Sequence, residues 1–137
     1  MKYFNWPLRV YYEDTDAAGV VYYANYLKFF ERARTEYLRH LGFHQSELNR
    51  HNGVVFAVRS IYIDYLKPAR FDDELIARAA VIAHKRASLD FEQQLVRSQE
   101  PETVLSSARV RIACLDAKAL RPCAMPHELL ERIKNVV

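Results

Sequence analysis

The chain has 137 residues, a formal net charge of +3 and a hydrophobic share of 50%. This length suits one domain with a buried core, and the composition excludes collagen-like, low-complexity and disordered chains. The 20 basic and 17 acidic side chains are mixed along the sequence, without the clustered basic excess of a dedicated nucleic-acid-binding protein. We therefore expect a single domain over residues 1–137, whose weak positive balance suits a small anionic ligand and not a nucleic acid.

The chain shows no segment that would place it in or across a membrane. Residues 1–8 lack the apolar stretch of a signal peptide, and no apolar run approaches the ~20 residues of a membrane span. The two cysteines, Cys114 and Cys123, are too few for a disulfide framework and are predicted to be unbridged thiols, as in a reducing compartment. These features predict a cytoplasmic protein.

Hydrophobic periodicity predicts the first elements. Alternating apolar residues predict a strand over 8–14, and a cluster of turn-forming residues follows at 14–19. Apolar and aromatic residues then recur every three or four positions over 22–41. This spacing predicts a wide amphipathic helix of about twenty residues, with Gly42 at its C-terminal cap.

The second half of the chain has the pattern of a sheet. A short helix is predicted over 46–49, and four segments rich in β-forming residues follow, joined by short connections. The predicted strands cover 54–67, 74–84, 88–97 and 103–115. Short connections between such segments predict antiparallel hairpins. With a final helix over 126–135, the order predicts an α+β protein in which a long helix and a sheet bury each other's apolar faces.

The predicted sheet has a second face and two edges. Arg97, Arg109 and Arg111 are expected on the face away from the long helix. An unpaired strand edge must be protected, and pairing with a second copy of the chain is one common solution. We therefore expect a homo-oligomer.

Two carboxylates, Asp14 and Asp16, lie in the turn before the predicted long helix. The first N–H groups of a helix are unpaired and can stabilise a carbonyl oxygen that gains negative charge. A nearby carboxylate can attack that carbonyl or deprotonate a water molecule. Capping is the more common role of such residues. Asp16, however, lies six residues before Tyr22, which is further than an N-cap.

Other clusters carry weaker signals. His40, His44 and His51 have no suitably placed cysteine or acidic ligand, which argues against a metal site. The chain lacks the G-x-S-x-G turn of a serine hydrolase, and three glycines are too few for a phosphate-binding glycine loop. No metal or nucleotide-binding fingerprint is therefore predicted.

Two further sets of charged residues have alternative roles. Glu31, inside the predicted long helix, is a candidate acid facing a substrate, and an ion pair with Arg34 or Arg32 is the more common alternative. Lys85 and Arg86 lie in a predicted hairpin turn, where paired cations can grip a phosphate or simply be solvated.

A long motif covers the turn and the helix start. It reads Asp14-Thr15-Asp16-Ala17-Ala18-Gly19-Val20-Val21-Tyr22-Tyr23-Ala24-Asn25-Tyr26 and is followed by Phe30-Glu31-Arg32-Ala33-Arg34. The motif resembles the signature of the 4-hydroxybenzoyl-CoA thioesterase family, most closely that of acyl-CoA thioesterases associated with the Tol-Pal cell-envelope system of Gram-negative bacteria. The resemblance extends over nearly the whole chain and includes residues 64–69. It implies a hotdog fold, a long central helix wrapped by a five-stranded antiparallel sheet, and homodimers or homotetramers.

The resemblance also implies a function and a site. The expected reaction is hydrolysis of an acyl-CoA with a short-chain or aromatic acyl group, without a metal or redox cofactor. The catalytic aspartate of the family falls on Asp16, the backbone N–H that polarises the thioester carbonyl on Tyr23, and a further implicated tyrosine on Tyr12. Independently of the resemblance, the residues themselves suggest three substrate-binding candidates: Tyr22 for the acyl pocket, and Lys85 and Arg86 for the nucleotide phosphates.

One residue departs from the Tol-Pal-associated pattern, because Tyr23 stands where many of those enzymes have histidine. A phenol, with an ordinary pKa of about 10, cannot replace an imidazole as an acid or base at pH 7. The backbone role of this position does not depend on the side chain. The departure concerns acyl specificity and subfamily more than the reaction.

Two other functions remain open from the sequence. A hotdog dehydratase would act on the same thioester class and would need a helix-borne acid or base, for which Glu31 is the only candidate over 22–38. A non-catalytic module would dock acyl carrier protein or phospholipid-synthesis enzymes through its basic loops. The thiol carrier is also open, since acyl carrier protein presents the same thioester as CoA.

Overall fold

A computed structural model describes residues 2–137, which form one antiparallel sheet and a long helix packed on it. The strands are β1 (Phe4–Arg9), β2 (Val54–Tyr65), β3 (Glu74–Lys85), β4 (Ser88–Arg97) and β5 (Glu100–Asp116). The helices are α1 (Asn25–His40), α2 (Gln45–Glu47) and α3 (His127–Lys134), with shorter helical turns at Tyr12–Asp14 and Leu48–Asn52. No helix within residues 2–137 is long and apolar enough to cross a membrane.

The strand order in the sheet is β1-β3-β4-β5-β2, and every neighbouring pair is antiparallel. Strands β3, β4 and β5 follow one another as hairpins, whereas β2 crosses over to pair with β5. Strands β1 and β2 are therefore the two edges. The five-stranded antiparallel sheet and the α+β class are confirmed.

The first strand begins and ends earlier than predicted. Strand β1 covers Phe4–Arg9 and not 8–14. The Val10 N–H donates to the Asp73 carbonyl at 3.0 Å, outside the ladder, and a tight helical turn follows at Tyr12–Asp14. The alternation of apolar residues therefore continues past the point where strand pairing stops.

The long helix is shorter than predicted, with 16 residues from Asn25 to His40, or about 24 Å. Residues 22–24 stay outside it because the Tyr22 N–H donates to the Asp14 carbonyl at 2.9 Å. The helix ends as predicted at Gly42, whose φ of +96° lies in the left-handed region that favours glycine.

Helix α1 and the inner face of the sheet form the core. The apolar side chains of the helix that are buried are Tyr26, Phe29, Phe30, Ala33, Tyr37 and Leu38. On the sheet side they meet residues such as Leu75, Phe91 and Leu95, which are fully buried. Burial of one large apolar side chain contributes about 1.5–3 kcal/mol. The aromatic stripe of α1 therefore fixes how the helix lies on the sheet.

The two cysteines are free thiols, as predicted. Cys114 is buried near the C-terminal end of β5, and its Sγ is 3.9 Å from that of Cys123. Burial raises the pKa of the Cys114 thiol to about 12. A thiol with this pKa stays protonated and unreactive at neutral pH.

The three arginines expected on the outer face of the sheet do not all lie there. Arg109 and Arg111 alternate with buried residues of β5 and do face outward, as expected. Arg97 does not: it is paired in register with the buried Leu75, and its guanidinium donates to Asp73 at 3.0 Å. The expectation for Arg97 was wrong because Arg97 follows the buried Phe91 and Leu95 at even spacing, so the alternation along β4 itself places it on the inner face.

Candidate active site

Residues 14–22 form a closed loop at the N-terminal end of α1. The Asp16 N–H donates to the Val20 carbonyl at 2.9 Å, and a bridge joins Thr15 to Val21. Gly19 has a φ of +78° at the tip of this loop, in the left-handed region where only glycine avoids a Cβ penalty. The loop therefore returns the chain to the helix start. It places Asp16 opposite Val20, two residues before Tyr22.

Asp14 is a structural residue of this loop. Its side chain is buried, and Oδ2 accepts a hydrogen bond from the Tyr11 N–H at 2.8 Å. Its carbonyl accepts from both the Tyr22 N–H and the Asn25 side-chain amide, each at 2.9 Å. Asp14 thus ties the loop to the first turn of α1, which fits the capping alternative for this residue.

Asp16, in contrast, is exposed. Its Oδ1 accepts from the Ala18 N–H at 2.9 Å, a contact that orients the carboxylate from within the loop. Among residues 2–137, no donor lies within hydrogen-bonding distance of Oδ2. This oxygen is therefore free to meet a substrate carbon or a water molecule.

The helix start presents free donors beside this loop. The Asn25 N–H donates to the Tyr22 carbonyl, but within residues 2–137 the N–H groups of Tyr23 and Ala24 find no backbone acceptor. They lie at the positive end of the dipole of α1. Such groups can stabilise an oxygen that becomes negative, so the helix start can polarise a carbonyl.

Tyr65 holds the residue that carries one of these donors. Its hydroxyl donates to the Tyr23 carbonyl at 3.0 Å, and its ring packs edge-on against Tyr26 with centroids 5.1 Å apart. The Tyr26 hydroxyl in turn accepts from the Ala69 N–H at 3.0 Å. Burial raises the pKa of both Tyr26 and Tyr65, so both phenols stay protonated.

Sequence reasoning assigned no role to Asn25 or Tyr65. Asn25 carries a usable signal, because a short polar side chain just before a helical apolar stripe is typical of a helix start. Tyr65 carries none, since 39 residues separate it in sequence from Tyr26, which its ring packs against. Only the fold brings these residues together.

Aromatic side chains surround the loop. Tyr12 is 78% exposed and stacks on Phe71 with centroids 4.0 Å apart. The Phe71 N–H donates to the Gly19 carbonyl, which connects this stack to the loop of Asp16. Tyr22 lies beside Tyr23 with ring centroids 4.9 Å apart, and a side-chain contact with Tyr23 raises its pKa. The structure thus brings Tyr12, Tyr22 and Tyr23 to the end of the molecule where Asp16 lies.

Lys85 and Arg86 do not join this group within one copy. They follow β3, which starts near the site at Glu74 and runs for 12 residues, or about 36 Å, away from it. There they line a surface cavity of about 520 Å³ together with Val58 and Arg59. Their predicted contact with the same ligand as Asp16 requires residues of a second copy.

The histidines and Glu31 lie outside any metal-binding cluster or ion pair in the described chain. Among residues 2–137, no three His, Cys, Asp or Glu side chains lie close enough to share a metal ion, so His40, His44 and His51 form no such cluster. Glu31 is exposed and, within the described chain, makes no ion pair with Arg32 or Arg34. The expected intrahelical pair is therefore absent.

Comparison with known proteins assigns the chain to a family. Residues 10–133 match the thioesterase-like superfamily. The acyl-CoA thioesterase YbgC of Haemophilus influenzae is 48% identical over 126 residues, which cover 92% of this chain and 90% of that protein. The acyl-CoA thioester hydrolase YbgC of Escherichia coli is 44% identical over 132 residues, which cover 96% of each.

A solved structure has the same fold. The probable thioesterase of Bartonella henselae superposes with a TM-score of 0.85 at 34% identity, covering 91% of this chain and all of that one. The resemblance seen in the motif at 14–26 is therefore matched along the whole sequence and in three dimensions. This chain is a thioester hydrolase with the hotdog fold and belongs to the thioesterase-like superfamily.

Proposed function

We propose that this protein hydrolyses acyl-CoA thioesters to a free acid and CoA, with a short-chain or aromatic acyl group. The observation that carries the proposal is one juxtaposition at the start of α1. An exposed carboxylate with a free oxygen, on Asp16, lies in the loop that leads to the unpaired N–H groups of Tyr23 and Ala24. The names of the relatives from Haemophilus influenzae and Escherichia coli support the same substrate class.

The thioester carbonyl accepts a hydrogen bond from the Tyr23 N–H, which draws electrons from the carbonyl carbon. Asp16 then acts in one of two ways. As a nucleophile it forms a bond to that carbon, the C–S bond breaks, and water later cleaves the mixed anhydride. As a general base it takes a proton from water, whose oxygen attacks the carbon; the C–S bond breaks, and the proton passes to the sulfur of the leaving CoA. Both routes consume one water molecule and restore the carboxylate.

The phenol side chains provide the walls of this site. Tyr12, Tyr22 and Tyr23 are all exposed around the loop, with apolar rings and polar tips. Such side chains suit a cleft that receives an acyl group and the polar thioester at its end. Tyr23 contributes through its backbone N–H, so the absence of histidine at this position leaves the polarising donor intact.

We propose that Lys85 and Arg86 bind the CoA phosphates, supplied to the site by a second copy. Strand β2 is a 12-residue edge with exposed apolar side chains, Val58 at 51% and Tyr62 at 69% among them. Antiparallel pairing of two β2 edges places the Val54 end of one strand beside the Tyr65 end of the other. The basic turn next to Val58 then approaches the partner's Tyr23, which Tyr65 holds.

The remaining features of the proposal follow from the resemblance in sequence. We propose a homodimer built on β2, or a homotetramer of two such dimers, working in the cytoplasm in the context of the Tol-Pal system. Residues 1–137 are proposed to act as a single domain. Acyl carrier protein is the alternative thiol carrier, because its phosphopantetheine arm presents the same thioester.

The direct test is thiol release by the purified protein from a panel of short aliphatic, long aliphatic and aromatic acyl-CoAs. The proposal expects equimolar thiol and free acid, with kcat/KM of at least about 10⁴ M⁻¹s⁻¹ for the best substrate. Hydration of an enoyl-CoA without thiol release would instead indicate the dehydratase. Binding of acyl carrier protein without turnover of any thioester would indicate the docking module.

A further inference from the structure

Arg34 is a buried charge with no carboxylate in direct contact. It lies on α1, is 8% exposed, and donates through one guanidinium nitrogen to Gln93 Oε1 at 3.0 Å. Gln93 is itself fully buried and donates to the Phe30 carbonyl. Within residues 2–137, no carboxylate oxygen lies within 4.0 Å of the Arg34 guanidinium. A buried cation with one neutral acceptor is costly. Burial lowers the pKa of Arg34, and the charge of Glu31 on the same helix offsets only part of this effect.

Arg34 lines a groove of about 510 Å³ between α1 and the edge strand β2. The apolar part of its wall is formed by Leu27, Val58 and Ile61, all of them more than one-third exposed. Glu31 lies in the same groove, three residues before Arg34 on the same helix, and its carboxylate is also unpaired in the described chain. One groove therefore holds an unpaired cation and an unpaired anion side by side.

The position of the groove makes it self-complementary. Strand β2 runs from Val54 to Tyr65, so its midpoint lies between residues 59 and 60. Val58 and Ile61, which line the groove, flank that midpoint. If two β2 edges pair antiparallel about this midpoint, the two-fold axis passes through it and each groove faces the other. In such a contact, residue i meets residue j and residue j meets residue i.

We propose that a second copy of this chain closes the groove, and that Glu31 of the partner subunit forms the missing ion pair with Arg34, twice in each dimer. The inference rests on the pairing of β2 edges in the proposed function. Its consequence is a fixed register. A slip of two residues moves β2 by about 7 Å and separates both pairs of charges.

The test compares dimer dissociation constants by analytical ultracentrifugation. Glu31→Met leaves Arg34 buried with no carboxylate, so the dissociation constant is expected to rise at least about 100-fold. Glu31 is exposed, so this variant folds. The double variant Glu31→Met/Arg34→Met removes both charges at similar volume and is expected to return to within about tenfold of the parent, because apolar replacement of a whole pair is close to neutral. Glu102→Met, an exposed glutamate on β5, is the matched control and leaves the constant unchanged.

A charge exchange gives a second readout. Chains carrying Glu31→Arg repel one another, and so do chains carrying Arg34→Glu, but a mixture of the two forms two attractive pairs in each hybrid dimer. Preferential hybrid dimers support the proposal. A parent dimer unaffected by Glu31→Met, or a double variant that stays as weak as the single one, overturns the ion pair alone. A monomeric parent protein overturns the β2 pairing as well, whereas thiol release reports on the hydrolase activity independently.

Discussion

The Tyr65 hydroxyl donates a 3.0 Å hydrogen bond to the Tyr23 carbonyl, which ties the last residue of β2 to the turn before α1. Tyr23 also carries the backbone N–H that we propose to polarise the thioester. An edge strand of the sheet therefore holds the residue that carries the proposed donor. Strand β2 is also the proposed contact between two copies of the chain. This hydrogen bond therefore connects the proposed dimer interface to the proposed donor.

Tyr65→Phe removes this bond and keeps the ring. We expect a loss of about 0.5–1 kcal/mol in the free energy of unfolding. We also expect kcat to fall about three- to tenfold with KM almost unchanged, because the donor is less well positioned. Steady-state kinetics and urea unfolding measure both effects. Tyr62→Phe, on the outer face of the same strand, is the control. Loss of stability with unchanged kcat would show that Tyr65 does not position the donor.

Asp14→Ala distinguishes the structural carboxylate of the loop from Asp16, the carboxylate that we propose to react. It removes the acceptor of the Tyr11 N–H, a hydrogen bond to a buried charge, so we expect a loss of about 1.5–3 kcal/mol in the free energy of unfolding. The backbone bonds from Tyr22 and Asn25 to residue 14 survive, and kcat should fall far less than on loss of Asp16. Urea unfolding and thiol release check this. Unchanged stability with abolished turnover would assign the chemistry to Asp14 instead.

The pair of Asp90 and Arg111 on the outer face of the sheet predicts a pH effect on stability. Arg111 donates two hydrogen bonds to Asp90, at 2.7 and 3.0 Å, and they lower the pKa of that carboxyl. The pair therefore stabilises the fold at pH values above about 3.9, the ordinary pKa of Asp, and its contribution is lost as the pH falls through the lowered folded-state pKa.

Asp90→Asn should reduce the free energy of unfolding at pH 7 by at most about 1 kcal/mol, since the pair is partly exposed. The difference from the parent should shrink below about pH 4. Urea unfolding across this pH range measures the difference. Glu92→Gln is the control, because Glu92 is 3.9 Å from Arg109 and so forms a much longer ion pair than Asp90 does. A difference that grows on acidification would contradict the assigned direction.

Lys85→Ala/Arg86→Ala should raise KM for acyl-CoA about 10- to 100-fold with little change in kcat, because we propose that these cations bind phosphates far from the reacting carbon. The effect should be smaller at high salt. Lys118→Ala, an exposed cation after β5, is the matched control. An unchanged KM would remove the basic turn from the binding site.

Hybrid dimers test whether the basic turn acts across the subunit boundary. A chain with Asp16→Asn and a chain with Lys85→Ala/Arg86→Ala each form impaired homodimers. In a hybrid, one site combines an intact Asp16 with an intact basic turn from the other chain. Activity above that of either homodimer is expected on co-expression, measured by thiol release at low substrate concentration. No gain in purified hybrids would place both functions within one copy.

The turn, the hairpins and the final helix were predictable because they depend on local patterns. The loop from Asp14 to Gly19 has turn-forming residues throughout, and β3, β4 and β5 show apolar alternation between short connections. The start of α1 was misplaced because the helical spacing of aromatic residues continues through Tyr22, although its N–H bonds to the Asp14 carbonyl. Periodicity reports which side chains face the core, not where backbone hydrogen bonds change partner.

The contacts that complete the site depend on distant residues and were not predictable. The bond of Tyr65 to Tyr23 spans 42 residues. The hydrogen bond from Arg34 to Gln93 spans 59 residues. The face of Arg97, in contrast, was predictable, because it follows from the alternation of buried residues along β4. Lys85 and Arg86 were predicted as ligand contacts, but the sequence pattern did not show that β3 starts beside the loop of Asp16 and runs away from it.

Turnover of the best acyl-CoA substrate by Asp16→Asn tests most directly whether Asp16 carries out the hydrolysis. This variant keeps the oxygen that accepts from the Ala18 N–H and so preserves the loop, but it has no carboxylate to attack the carbonyl or to accept a proton from water. We expect kcat to fall at least about 100-fold while the melting temperature and KM stay close to those of the parent. A folded Asp16→Asn protein with kcat within about threefold of the parent would contradict it.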